Sequence, residues 1–225
     1  MAVNIDTVYQ KVLAIANKEQ RGYITPQEFN LFANQAQLDI FEQYFYDLNQ
    51  FGRLPENEFE YSNITDILKE KIAIFEQFKV AVSSVSGNEI TLPTDVYRLG
   101  TVYYSVGGAY DVEVEKVNRK DLEYMSRTAL ISPVETRPVY IRKSETLLKL
   151  FPASPSTVYS ASTVVCNYIK KPTTPEWAYV VVNNKALFNS VLATNFELHD
   201  SEETNLVNKI LQLAGVSIKD YSLAQ

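Results

Sequence analysis

His199 is the chain's one histidine, and it stands beside Asp200. A serine or cysteine nucleophile would need that imidazole as its base, and a zinc site built on it would have no second imidazole. The pair reads as a solvated residue ahead of a helix cap. Cys166, the one cysteine, rules out an internal disulfide and a cysteine-based metal cluster. Flanked by Val164, Val165, Asn167 and Tyr168, it reads as a buried thiol inside a strand and not as a nucleophile. Two sets of alternating acids remain: Glu56, Glu58 and Glu60, and Asp111, Glu113 and Glu115. Alternate residues of a strand share one face, so either set could seat an acid/base pair or a divalent cation. Val112 and Val114 fill the other face of the second set, which makes the polar side of a half-buried strand the plainer reading.

Phosphate chemistry finds little to work with. Gly107-Gly108 is the main glycine pair, whereas a nucleotide cradle needs several glycines at fixed spacing. Arg119-Lys120 and Lys170-Lys171 are basic doublets too short for a nucleic-acid patch. The net charge of −6 and a pI near 5.0 agree, because gripping phosphates takes a concentrated basic face. DNA passing by without being gripped remains compatible with that charge. No catalytic, cofactor-binding or metal-ligating residue is assigned, and the expectation is a non-enzymatic protein with no cofactor.

The elements that carry these residues follow from periodicity. At 225 residues, 46% hydrophobic and 21% charged, the chain can bury one large core or two small ones. Its 15 tyrosines against one tryptophan suit surfaces that become partly buried on a partner, or simply strands. The first residues carry no basic segment followed by an apolar run, and no stretch nears the roughly 18 apolar residues of a membrane span. A reducing, aqueous compartment without membrane contact is expected.

Ile5, Val8, Val12 and Ile15 recur at helical steps over residues 5–20, with Gly22 beyond. Thr25, Pro26 and Glu28 predict a capped helix start, with Ile24 and Phe29 as a hydrophobic staple. That helix should run to Phe51, pack on the first helix and bury Phe32, Ala36 and Ile40. Ile64, Leu68, Ile72 and Phe75 predict a third. From Phe78 the period becomes two: Phe78, Val80 and Val82 lead through Ser86-Gly87-Asn88 to Ile90 and Leu92, a hairpin. Strands are expected over 99–105 and 110–115, 139–141 and 147–150, and 164–169, with Pro152, Pro155, Pro172 and Pro175 at strand exits. A short helix over 118–126 starts at Asn118 as cap, with Asp121 three residues on. Residues 185–198 read as extended, with Phe196 and Leu198 on one side. Asp200 and Glu203 should cap a last helix whose stripe is Leu206, Ile210, Leu213 and Ala214 and whose end is Gly215. The tail 216–225 wants a surface to lie on.

The fold expected is α+β, in three stretches that could form one folding unit: an N-terminal helical hairpin region over 1–75; a central antiparallel β-rich region with a short helical insertion over 76–184; and a C-terminal strand, helix and extended tail over 185–225.

The order of several short motifs adds to this. Leu92-Pro93-Thr94-Asp95-Val96-Tyr97-Arg98 is followed by Arg137-Pro138-Val139-Tyr140-Ile141. Leu150-Phe151-Pro152 comes next, then Cys166-Asn167-Tyr168-Ile169-Lys170-Lys171-Pro172, and finally the junction Asn195-Phe196-Glu197-Leu198-His199-Asp200-Ser201-Glu202-Glu203-Thr204. In this order the chain resembles head-to-tail connector proteins of short-tailed phages, the crAss-like group included, which form rings or adaptors in the virion. The resemblance implies a bacteriophage structural protein at the head-to-tail junction, made in the host cytoplasm. It implies copies of itself in a twelvefold ring, portal and tail or other connector proteins as partners, and genomic DNA crossing the lumen during ejection without sequence-specific binding. A tail- or fibre-attachment module of the same virion is the alternative. A hydrolase built on the acids would need a cleft gathering Glu56 to Glu60 or Asp111 to Glu115.

Overall fold

The computed structural model describes residues 3–18, 24–51, 64–106, 110–153, 159–160, 162–183 and 185–217. In chain order they form α1 (Ile5–Lys18), α2 (Pro26–Phe51), α3 (Ile64–Ala73), β1 (Glu76–Ala81), β2 (Ser84–Ser86), β3 (Glu89–Thr91), β4 (Val96–Val106) and β5 (Tyr110–Lys116). Then come α4 (Arg119–Ser126), β6 (Val139–Arg142), β7 (Leu147–Phe151), β8 (Val164–Lys170), β9 (Tyr179–Val182), β10 (Lys185–Phe188), a 3-10 turn (Asp200–Glu202) and α5 (Glu203–Ser217). The fold is mixed α+β, with a large, mostly antiparallel sheet. Two compact units emerge, Met1–Ile74 with Pro172–Gln225, and Phe75–Lys171. Residues 172–184, grouped with the strands by periodicity, thus belong with the helices.

In the first unit, α2 begins with the reciprocal cap its residue types dictate. The Thr25 N–H donates to Glu28 Oε2 at 2.9 Å, and the Glu28 N–H donates back to Thr25 Oγ1 at 3.3 Å. Phe29, Ala33, Ala36, Gln37, Ile40, Phe41 and Tyr44 make its buried face. Phe32, expected inside, is only half-buried, because Ala33 and Gln37 take the centre of that face. α1 and α2 meet through an edge-on contact of Tyr9 and Phe29, 4.8 Å between ring centres. α5 packs along both helices, and α3 packs on α2.

The stripe of α5 is Leu206, Val207, Ile210 and Ala214. The helix continues through Ser217 instead of closing at Gly215, since Gly215 is itself buried and packing overrides its weak helix propensity. Its start also differs from expectation. His199, not Asp200, is the cap, its Nδ1 accepting the Ser201 N–H at 3.2 Å, and a 3-10 turn precedes the helix. α3 buries Leu68 and Ile72, while Ile64 is exposed and Phe75 lies beyond its end.

The second unit is the eight-stranded sheet, in the order β1-β8-β4-β5-β6-β7-β3-β2, antiparallel except for β5 with β6. β1 and β2 lie at opposite ends of that order, yet only Val82 and Ser83 join them. The three steps from Ala81 to Ser84 span about 10 Å at most, so the sheet must curl until its ends meet at a corner. Bulges supply the bend, and two of them face Asn167. Phe78 and Lys79 on β1, and Gly100 and Thr101 on β4, each set two residues against that one. A Cβ on Gly100 would lie 3.0 Å from the Asn167 carbonyl oxygen. Lys79 takes a φ of 49°, and its N–H is held by the Asn167 side-chain oxygen at 2.8 Å.

The β1 bulge corrects the expected hairpin. Phe78 is turned out, 76% exposed, while Val80 and Val82 face inward. β1 pairs with β8, and the hairpin at Gly87 is the shorter β2–β3 pair. Inside the curl, alternate residues of successive strands build the core, among them Ile90, Val102, Tyr104, Val114, Leu148, Leu150, Val164, Cys166 and Tyr168. Among the described residues no helix is long and apolar enough to cross a membrane.

Candidate assembly surface

The residues singled out for chemistry fall in different units, Cys166 and the acids of β5 in the sheet unit and His199 in the helical one. Cys166 is fully buried, and burial, with Asp95 nearby, pushes its thiol up to about 11. His199 is spent on its cap. Asp111, Glu113 and Glu115 lie on the exposed face of β5, opposite inward Val112 and Val114. Lys79 Nζ reaches Asp111 at 2.6 Å, and that hydrogen bond holds the carboxyl below its usual range. Glu56, Glu58, Glu60, the Gly107-Gly108 turn, Pro155 and the tail from 218 lie outside the described residues, as does Gly22. Arg119 and Lys120 are exposed at the start of α4, and Lys170-Lys171 end β8. Among the described residues no three His, Cys, Asp or Glu side chains gather where they could hold a metal ion. A recess of about 260 Å³ in the sheet unit is lined by Thr101, Glu113, Lys116, Tyr140 and Arg142 with neighbouring backbone. It is partly open to solvent.

Three of the motifs act as joints. Asp95 of the first motif accepts the Tyr168 hydroxyl of the fourth at 3.1 Å, and its backbone oxygen accepts the Lys171 N–H at 2.7 Å. Burial and that carboxylate push the Tyr168 hydroxyl up to about 12. The junction 195–204 ties the helical unit together residue by residue. Asn195 Oδ1 caps the start of α1 through the Ile5 N–H at 3.1 Å. The Glu197 N–H donates to the fully buried Gln37, whose amide donates on to the Thr173 carbonyl at 2.8 Å. Glu202 is buried and meets Lys71 of α3 at 2.5 Å.

The feature that the sequence reading missed lies just before this junction. Trp177 is buried against Tyr9, with 4.2 Å between ring centres. Its indole N–H donates to Asp6 at 2.9 Å, and its backbone N–H donates to Asn30 at 2.8 Å. From that anchor springs a two-stranded ribbon, β9 with β10, whose lowest rung is Tyr179 opposite Phe188, both stacked on Trp177. Only four residues of the stretch 185–198 are strand. Beyond Phe188 a turn forms, in which Asn189 Oδ1 accepts the Val191 N–H.

Above the anchor the ribbon is apolar on both faces. Val180, Val182 and Leu187 project to one side and Val181 to the other, all exposed, and Val191 and Leu192 follow in the turn. Two-stranded ribbons are marginal alone and strand edges invite pairing. What this arrangement can do is bind an apolar partner on a rigidly held arm. The signal was present in the sequence as an uncharged run, Ala178 to Val182, ending in Asn183-Asn184. No protein-family model matches the chain, and no curated protein matches it.

Proposed function

We propose that this chain is a structural virion protein that forms a ring at the head-to-tail junction of a short-tailed, crAss-like phage, with genomic DNA passing through its lumen. The observation that carries the reading is the ribbon. An acidic protein holds an apolar, almost uncharged arm on a buried tryptophan, an arrangement suited to association. The motif order supports a place at the head-to-tail junction, and residues of the first, fourth and last motifs serve as joints within the two units. The exposed acids of β5 suit a lumen in which DNA slides without being trapped. In this reading the chain is not an enzyme and carries no cofactor, and its partners are its own copies, the portal and the tail or connector proteins.

A reconstruction of the intact particle tests the proposal. The expected result is this chain as a closed ring around the DNA exit, most simply twelvefold. A trimer on a fibre axis would instead support the attachment module, and a basic surface gripping DNA would end the ring reading.

A further inference from the structure

We infer that the recess between β4, β5 and β6 is a binding site for a carboxylate with an N–H donor beside it, the chemistry of a peptide chain end or of a free amino acid. The inference is independent of the ring reading, and a particle without the ring would leave it standing.

Strand topology opens the recess. The antiparallel register of β5 with β4 ends at Val114 opposite Val102, while β4 itself begins at Val96. From there β5 takes β6 as a parallel partner, with Glu115 opposite Val139 and Lys116 opposite Tyr140. The gap of about 260 Å³ where β4 and β5 part draws its polar lining from Thr101, Glu113, Lys116, Tyr140 and Arg142.

Those side chains arrive with bonding capacity to spare. Tyr140 is 5% exposed, yet among the described residues its hydroxyl has no hydrogen-bond partner. Its ring belongs to the core of the curl, and the charges of Arg142 and Glu113 both act on its hydroxyl, which sets that end at the recess. Burial pushes the hydroxyl up, so it stays protonated and able to donate near neutral pH. Lys116 and Glu113 line the same recess, and neither has a hydrogen bond or ion pair among the described residues. Arg142 is held in advance by its own hairpin. Its Nε donates to the Ser144 carbonyl at 3.2 Å and its Nη2 to the Glu145 carbonyl at 2.7 Å, which leaves Nη1 for a ligand. A guanidinium fixed in this way loses little freedom on binding.

The chemistry of the lining selects the ligand. Lys116, Arg142 and Tyr140 offer donors to an anion, and Glu113 can only accept. Two cations against one carboxylate leave the recess with one positive charge, which a monoanion balances. Sulfate would bring a second negative charge toward Glu113. An α-carboxylate with its amide or ammonium N–H alongside meets both kinds of group at once. Size agrees, because pockets for whole drug-sized molecules run to about 300–1,000 Å³, and a smaller recess suits the end of a chain or one amino acid.

The test titrates the isotope-labelled full-length chain, followed by amide NMR, with N-acetylalanine, N-acetylalaninamide, alanine, N-acetyltrialanine and sulfate. N-acetylalanine should shift the Gly100, Thr101 and Lys116 amides saturably, with a dissociation constant of about 1 mM, and N-acetylalaninamide should not. Lys116→Gln should weaken binding about tenfold and Tyr140→Phe about threefold. Tyr140→Phe removes a hydroxyl with no protein partner, so its melting temperature should match wild type while its affinity falls. Glu113→Gln should let sulfate bind where the wild-type chain does not. Tighter binding of N-acetyltrialanine than of alanine makes a peptide end the ligand, and the reverse order makes it a free amino acid; either supports the site. Equal binding of N-acetylalaninamide, sulfate as tight as N-acetylalanine on the wild-type chain, or no saturable shift up to about 20 mM overturns the inference.

Discussion

At Glu202 two effects oppose each other. Burial raises the carboxyl, but hydrogen bonds from Lys71 and Asn205, with the Lys71 charge, outweigh it and hold the group below the usual carboxylate range. The Tyr44 hydroxyl beside it, buried and with no partner at hydrogen-bond geometry among the described residues, is raised by burial and by the Glu202 charge. Lys71 also lies over the Tyr44 ring, 5.7 Å from its centre. The ion pair therefore fastens α3 to the start of α5 at a point where an unpaired charge would be costly. Glu202→Gln should lower stability by about 2 kcal/mol in urea unfolding of the full chain. The sign with pH follows from the depressed value. The pair's contribution is complete above the unfolded glutamate value of about 4.3 and is lost as pH falls through the lower folded value. Wild type should thus converge on the Gln variant in stability below about pH 4, and a gap that stays constant to the acid end would contradict the ion-pair account.

At the scale of elements, the local rules carried most of the secondary structure and little of its packing. The Thr25–Glu28 cap, the β4–β5 and β6–β7 pairs and the buried alternation of β8 were legible, because each is set by neighbours in the chain. The face of Phe78 was not, since a bulge is decided by Asn167 on another strand, and periodicity cannot see it. The cap at His199 was hidden for a similar reason: a 3-10 turn precedes α5 and moves the cap one residue ahead of the expected aspartate. The role of Trp177 was not legible either, because its partners Asp6, Tyr9 and Asn30 lie about 150 residues away or more. Two predictions belong here. Gly100→Val should cost about 1–3 kcal/mol in urea unfolding, because the added atoms meet a backbone oxygen that cannot give without moving β8. Ile40→Asp, placing a charge at a position 1% exposed in the middle of α2, should abolish the folded state or its assembly. A well-folded Asp variant that still assembles would overturn the packing of α2 described above.

At the scale of the molecule, the sheet unit is one continuous insertion, 75–171, within a chain whose flanks make the helical unit. Its two ends are already joined inside it, the Lys170 N–H donating to the Phe75 carbonyl at 2.8 Å. An inserted unit with paired ends and its own core closes its loop entropy internally and can fold as a body. The two cores differ in kind: helices locked by Gln37, Trp177 and the Lys71–Glu202 pair, against a curled sheet filled by aliphatic and tyrosine side chains. Urea should therefore act on them at different midpoints. The chain has a single tryptophan, and it lies in the helical unit, so indole fluorescence reports that unit alone while far-ultraviolet circular dichroism reports both. The expected outcome is two transitions by dichroism, one coinciding with the fluorescence change, and Glu202→Gln should move only that one. Coincident curves in wild type and variant would instead make the whole chain a single cooperative unit. In that case a ligand or partner held by either unit would stabilise both.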